Sequence, residues 1–281
     1  MTAEPRSWLF VPADSGRKVE RALSSDADAV ILDLEDSVAA GRKLEARECL
    51  RNFLPARAEG GPQRWVRINP LDSEFYRSDL AACEHCEIDG LVLPKAESGA
   101  DVARLAADTA RRGWRIHAIV TETAASLFNL LSYRHAAPAL AAMSWGAEDL
   151  SAALGASSKY DSDGSLSFTY RLARSLCLAG AVAAGVQPVD GVFADFRDEE
   201  GLEREAAAAA REGFTGKLAI HPAQVPLINA AFTPSAAEIE QARAIVEAFD
   251  AEPDAGVLSV GGKMVDRPHL VQARRVLERA R

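Results

Sequence analysis

Several acidic and basic side chains stand just past short apolar runs, and their types suit a site that handles oxygen-rich organic acids. Asp33, Glu35 and Asp36 follow one run, and Arg67 and Asn69 close another. Lys95 and Glu97 follow Leu93-Pro94, Glu122 lies between Thr121 and Thr123, and Glu148 and Asp149 follow Gly146-Ala147. Asp195, Arg197 and His221 come after the last two runs. Brought to one rim, Glu35, Asp36, Glu122 and Asp149 would repel one another unless a cation neutralised them. The candidate donors are all oxygens, which suits a hard cation, Mg²⁺ first and Mn²⁺ second. Mg²⁺ usually takes one or two protein carboxylates and keeps water or substrate oxygens. Glu122 and Asp149 are therefore assigned as the direct ligands, with Glu35 and Asp36 behind them.

Each acid also has a local alternative, as a helix cap or first-turn charge. Glu148 is read that way, and for Asp36 the two readings balance. Glu122 and Asp149 are kept as ligands because several strand ends agree. Arg67 offers a planar guanidinium that can hold a keto-acid carboxylate in two places, or pair with a nearby acid. Lys95 could be a Schiff-base nucleophile. Among Glu35, Asp36 and Glu97 it is read instead as an ion-paired organiser.

The elements that must position these residues are eight apolar runs. They are Trp8–Pro12, Ala29–Leu34, Arg64–Asn69, Gly90–Pro94, Ile116–Val120, Leu140–Trp145, Val189–Phe193 and Lys217–His221. Each is apolar on both faces, as buried parallel strands are. Helical patterns fill the gaps at 18–23, 43–53, 101–111, 166–184 and 202–211. Eight such units predict a (β/α)₈ TIM barrel, an α/β fold whose active site forms at the C-terminal strand ends. A doubly wound open sheet is the runner-up, weakened because no Gly-rich phosphate fingerprint follows the first strand. Residues 1–234 are assigned to the barrel. Residues 235–281 form an additional C-terminal helical arm or lid, with Ser235 and Glu238 as a capping box and a last helix from Arg267.

Composition narrows the function. The 281 residues are 48% hydrophobic and carry a net charge of −9, so a packed core is expected and a general nucleic-acid or membrane-surface binder is not. Four cysteines fit free thiols inside a cell. Cys83 and Cys86 have the spacing of a metal pair but lack a second pair, and are read as a helix end. No signal peptide or membrane span is visible, so a cytoplasmic location is expected.

Taken together, the strand-end segments resemble the citrate lyase beta-subunit family within the 2-oxo acid aldolase (HpcH/HpaI) superfamily. They are Leu9-Phe-Val-Pro12, Ile31-Leu-Asp-Leu-Glu-Asp36, Val66-Arg-Ile-Asn69, Leu93-Pro-Lys-Ala-Glu97, Thr121-Glu-Thr123 and Gly146-Ala-Glu-Asp149. Asp195-Phe-Arg-Asp198, Gly213-Phe-Thr-Gly-Lys217 and Ile220-His-Pro222 continue the match. The resemblance implies Mg²⁺ on Glu122 and Asp149, and Arg67 on the keto-acid end. It also points to the CoA-ester lyase branch, with CoA contacts at Phe10, Arg17, Arg21, Ala194 and Asp195. It makes Asp266 an acid carried by an arm that reaches a neighbouring subunit, which implies a homo-oligomer, commonly a trimer. Ala13 and Ser37 stand where glycines are usual in the family, which weakens the CoA assignment in the first loop.

The implied reaction is cleavage, or in reverse condensation, of a 3-hydroxy-dicarboxyl-CoA thioester such as malyl-CoA, citramalyl-CoA or citryl-CoA, giving acetyl-CoA and a 2-oxo acid. Asp266 would protonate the thioester enolate. Without the resemblance, Asp266 before Arg267-Pro268 reads as a helix cap. Four alternatives stand beside this reading. They are a citrate lyase beta subunit acting on a carrier-bound thioester in a complex, a thioesterase using the same site, a CoA-independent 2-oxo acid aldolase, and a non-catalytic binding barrel.

Overall fold

The computed structural model describes residues 4–54, 60–136 and 138–280. The ends of the two expected segments, residues 1–3 and 281, lie outside them. The eight runs form eight parallel strands: β1 (Ser7–Pro12), β2 (Ala29–Asp33), β3 (Gln63–Arg67), β4 (Gly90–Leu93), β5 (Arg115–Ile119), β6 (Leu140–Ser144), β7 (Gln187–Asp190) and β8 (Gly216–Ala219). They pair in sequence order and close into a barrel, with Trp8 beside Ala29 on one side and Leu218 on the other.

Side-chain alternation along each strand produces two cores. Leu9 and Val11 point outward, where they join Val19, Ala22 and Leu50 of the surrounding helices. Trp8, Ala29, Ile31, Trp65, Val92, Ile119, Ala142, Val189 and Leu218, from all eight strands, fill the lumen, and Phe10 packs on them. The two indoles fit because their neighbours are small. A Cβ on Gly90 would lie 2.3 Å from the Trp65 ring. His117 shares this dry interior, edge-on to Trp8, with Nε2 2.9 Å from Ser144 Oγ. Burial pushes its pKa down to about 3, so it is neutral.

The helices that matter to the site are α1 (Gly16–Leu23), α2 (Lys43–Phe53), α3 (Tyr76–Cys83), α4 (Gly99–Asp108), α5 (Ala147–Leu154), α6 (Phe168–Ala184) and α7 (Glu199–Glu212). Helix α8 (Gln224–Ala231) follows β8. The structure starts and stops them by the usual chemistry: Ser98 and Asp101 make a capping box for α4, and Asp198 caps α7. Beyond the barrel lie α9 (Ala236–Ala251), the antiparallel pair β9 (Val257–Val260) and β10 (Lys263–Asp266), and α10 (Arg267–Arg279). The expected Ser235–Glu238 capping box is present. This arm has its own small core of Ala242, Ile245, Phe249, Val265, Leu270 and Ala273. Among the described residues, no hydrogen bond or ion pair ties residues 236–280 to the barrel. No helix among them is long and apolar enough to cross a membrane.

One charged network lies under the barrel's outer wall. Lys217 is fully buried, and its Nζ donates to Asp190 Oδ2 (2.8 Å), Glu205 Oε1 (2.7 Å) and the Gly191 carbonyl (2.8 Å). Asp190 Oδ1 accepts from Trp145 Nε1 and Arg174 Nε, each at 2.8 Å. Burial alone would raise the Asp190 pKa. The two cations outweigh it and hold the group down at about 2. The network ties β7, β8, α6 and α7 to the residue that precedes Gly146.

Candidate active site

Strand β2 ends in Asp33, whose carboxylate organises the turn after it. Oδ1 accepts from the Glu35 amide (2.9 Å) and Oδ2 from the Ser37 amide (3.2 Å). The same oxygens accept Nε (2.7 Å) and Nη2 (2.6 Å) of Arg67, a bidentate pair across the β2–β3 ends. Burial opposes charge on both partners, yet Arg67 draws the Asp33 pKa down and Asp33 with Glu35 raises that of Arg67. The guanidinium lies 4.8 Å above the Phe10 ring. Arg67 Nη1 stands 2.9 Å from Glu35 Oε2 without hydrogen-bond alignment, so that buried oxygen accepts no hydrogen bond.

Behind this turn, Lys43 Nζ donates to the Leu34 carbonyl (2.6 Å), the Glu35 carbonyl (2.8 Å) and Asn69 Oδ1 (3.0 Å). Asn69 in turn donates to Leu34 O and Asp79 Oδ2, and Arg47 pairs with Asp79. Asn69, expected at the rim, is turned into this clamp instead. Burial lowers the Lys43 pKa, and its three acceptors hold the Glu35 backbone from the back.

Lys95 joins the two sides of the site. Among the described residues it is the only non-glycine with positive φ, at 51°. That region disfavours a side-chain-bearing residue by roughly 1–2 kcal/mol. The conformation aims the Lys95 amide at Glu122 Oε2 (2.5 Å) while the side chain crosses to the opposite acids. Nζ donates to Glu35 Oε1 and lies 3.3 Å from both Asp36 Oδ2 and Asp149 Oδ1. Glu35, Asp36 and Asp149 thus converge on one ammonium, while Glu122 meets the backbone of the same residue.

Glu122 is almost fully buried, and its pKa is pushed up to about 8. Burial is the main cause. Asp149 and Glu35 add to it, while the Lys95 amide and Arg67 work against it. Gly146 allows the carboxyl to sit here, since a Cβ at that position would lie 2.7 Å from Glu122 Cγ. The Gly146 amide is fixed by Thr121 Oγ1 at 3.2 Å. Three residues on, Asp149 occupies the first turn of α5 with its side chain partly exposed. Among the described residues, Glu122 Oε1 accepts no hydrogen bond, and no group of three His, Cys, Asp or Glu side chains has the geometry to hold a metal ion. Two carboxylates, one of them shielded from water and crowded by like charge, are an acceptable protein contribution for a hard cation that keeps its other ligands as water or substrate.

The remaining expected site residues scatter. Phe10 lies in the lumen as the floor under Arg67. Arg17 and Arg21 are exposed on α1 and form no ion pair with any described residue. Ala194 and Asp195 are exposed in the loop after β7, with Asp195 Oδ1 accepting from the Arg197 amide. In that loop Phe196 stacks on His221 with ring centroids 4.6 Å apart. Glu148 lies in the first turn of α5, as expected, and pairs with Lys159. Cys83 and Cys86 are buried free thiols. Asp266 caps α10 and lies 2.5 Å from His269 Nδ1, a contact that holds its carboxyl below the usual range. The pairing of Arg67 with a nearby acid was one of its two expected roles, and the structure supplies the partner, Asp33, in bidentate geometry.

A family model for the HpcH/HpaI aldolase/citrate lyase family matches residues 6–222. The chain belongs to this family. Among its relatives in the family is a (3S)-malyl-CoA thioesterase of Cereibacter sphaeroides, 40% identical over 280 residues, covering 98% of this chain and 94% of the relative. A citrate lyase subunit beta-like protein of Mycobacterium tuberculosis is 38% identical over 274 residues, covering 97% and 94% of the two chains. The crystal structure of protein CitE from the same organism, in complex with magnesium, acetoacetate and coenzyme A, superposes with a TM-score of 0.84 at 38% identity, over 99% of this chain and 98% of that one. The HpcH/HpaI membership and the closed parallel barrel agree with the fold and family expected from the strand-end segments.

Proposed function

We propose that this chain is a Mg²⁺-dependent lyase that cleaves, or in reverse condenses, a 3-hydroxy-dicarboxyl-CoA thioester of the malyl-CoA, citramalyl-CoA or citryl-CoA type, giving acetyl-CoA and a 2-oxo acid. The observation that carries this reading is the buried Glu122 carboxyl, crowded by the charges of Asp149 and Glu35 and held to the Lys95 amide, whose side chain reaches Asp149 at the same barrel rim. The magnesium, acetoacetate and coenzyme A of the CitE complex supply the matching ligand classes in a relative.

Glu122 and Asp149 would hold the cation, which when bound supplies electrophilic polarisation of the substrate's oxygens. The side chains do the rest. Asp33 locks the Nε–Nη2 edge of Arg67, and the carboxylate of the 2-oxo acid portion would take the Nη1 side in place of Glu35 Oε2, which lies 2.9 Å from it. Phe10 fixes the guanidinium plane from below. In cleavage, the hydroxyl would pass its proton to solvent water, the oxygen's electron pair forms the new carbonyl, and the electrons of the broken C–C bond pass to the thioester as an enolate. Protonation of the enolate carbon gives the acetyl thioester. Asp266 is the proposed proton donor, and in condensation the base. Its place on an arm with a separate core supports delivery to a neighbouring subunit of a homo-oligomer, proposed as a trimer. Phe10, the exposed Arg17 and Arg21, and Ala194 and Asp195 in the loop after β7 are the proposed CoA contacts. The four described cysteines, all free and buried, fit the cytoplasm.

A second reading is favoured by the 40% identical malyl-CoA thioesterase: water attacks the same bound thioester, releasing CoA and the free hydroxy acid. Purified protein with Mg²⁺ and a panel of free thioesters separates the readings. Acetyl-CoA with a 2-oxo acid supports the lyase, and free CoA with malate supports the thioesterase. Turnover only on a carrier-bound thioester in the presence of other subunits would replace both with the citrate lyase beta-subunit reading.

A further inference from the structure

We infer that Lys95 is a built-in cation of this site, which neutralises the acidic rim before the divalent ion arrives and yields Asp149 to it. The inference rests on the proposed cation site at Glu122 and Asp149 and deepens it. Lys95 touches both proposed ligands with opposite ends of one residue, its amide on Glu122 Oε2 and its Nζ 3.3 Å from Asp149 Oδ1. The same Nζ contacts Glu35 and Asp36, so three of the four rim carboxylates face one ammonium. This double reach depends on the left-handed backbone at Lys95, which splits amide and side chain across the rim. A residue held in a disfavoured conformation at a cluster of charge is retained because the surroundings over-determine it.

Two cations competing for one carboxylate repel each other, so the ammonium weakens the hold on a divalent ion while keeping the rim from self-repulsion before the ion binds. Cation binding then becomes an exchange: Nζ keeps Glu35, its tightest partner, and yields Asp149. Lys95 is a positioning residue here, with no bond made or broken at its amine.

The test is Mn²⁺ binding by titration calorimetry, with thermal melts in chelator and in saturating Mn²⁺, on wild type, Lys95→Met and Lys95→Arg. Lys95→Met, which keeps length and removes charge, should bind Mn²⁺ roughly tenfold more tightly. It should melt lower than wild type in chelator and recover in Mn²⁺, because the ion replaces the missing charge. Lys95→Arg should stay within about twofold of wild type. An unchanged or weaker Mn²⁺ affinity in Lys95→Met, or an equal loss of melting temperature with and without Mn²⁺, would assign Lys95 an ordinary structural role and overturn the inference. Failure of wild type itself to bind Mn²⁺ would overturn the cation site as well, so the two failures are distinguishable.

Discussion

Lowering the pH from 8 to 6 should strip the divalent ion from the site, because the ion and a proton compete for Glu122. Burial, reinforced by Asp149 and Glu35, holds the Glu122 pKa at about 8. Only the carboxylate binds metal. Roughly half the sites are ionised at pH 8 and roughly 1% at pH 6, so the Kd for Mg²⁺ or Mn²⁺ should weaken roughly fiftyfold, equivalent to about 2.3 kcal/mol. Close to one proton should be released per ion bound near pH 6.5. Calorimetry in two buffers of different ionisation enthalpy reads both quantities. The stability of the ion-free protein gives the matching sign. The folded pKa of Glu122 lies above the unfolded value near 4.5, so its contribution is fully present below about pH 4.5 and is lost as the pH rises through about 8. Ion-free Glu122→Gln should therefore gain melting temperature over wild type at pH 9 and not at pH 5, while losing ion binding at every pH. A Kd that stays flat from pH 6 to 8 with no proton release would show that Glu122 is not the group the ion displaces a proton from.

Other perturbations reach different layers of the molecule. Arg67→Lys keeps the charge and loses the fork to Asp33; stability should fall by about 1–3 kcal/mol in urea unfolding and KM for the thioester should rise, and an unchanged KM would remove Arg67 from the substrate. Lys217→Met leaves Asp190 and Glu205 short of a buried cation and should cost about 3–5 kcal/mol in the same unfolding assay, far more than any exposed lysine. The double variant Arg17→Ala, Arg21→Ala should change stability by less than about 0.5 kcal/mol, since both side chains are exposed. Its KM for a CoA thioester should rise roughly tenfold at constant kcat, and an unaltered KM would move the CoA contact away from α1.

Strand and helix identities were readable wherever burial and periodicity act on neighbouring residues. The eight strands stand out because strands buried on both faces are runs of apolar residues. Strand β7 is the informative miss. The apolar run Val189–Phe193 drew the expected strand late, whereas the paired residues are Gln187–Asp190. Its polar members are used by the Lys217 network and by Gln187 donating to the Pro5 carbonyl, partners far away in the chain. The β9–β10 pair was also missed, although Gly261-Gly262 between two alternating segments is the pattern of a tight hairpin turn, and both glycines adopt positive φ.

By itself the sequence determined the barrel, the strand ends that carry Glu35, Asp36, Arg67, Lys95, Glu122 and Asp149, and the family, because these depend on local order and spacing. The tertiary structure decided which charges meet. It gave Arg67 to Asp33, turned Asn69 into the Lys43 clamp and set Lys95 between Glu122 and Asp149. Electrostatic interaction depends on distance and on exclusion of water, and residues as far apart in the chain as Glu35 and Lys95 acquire both only when the barrel closes.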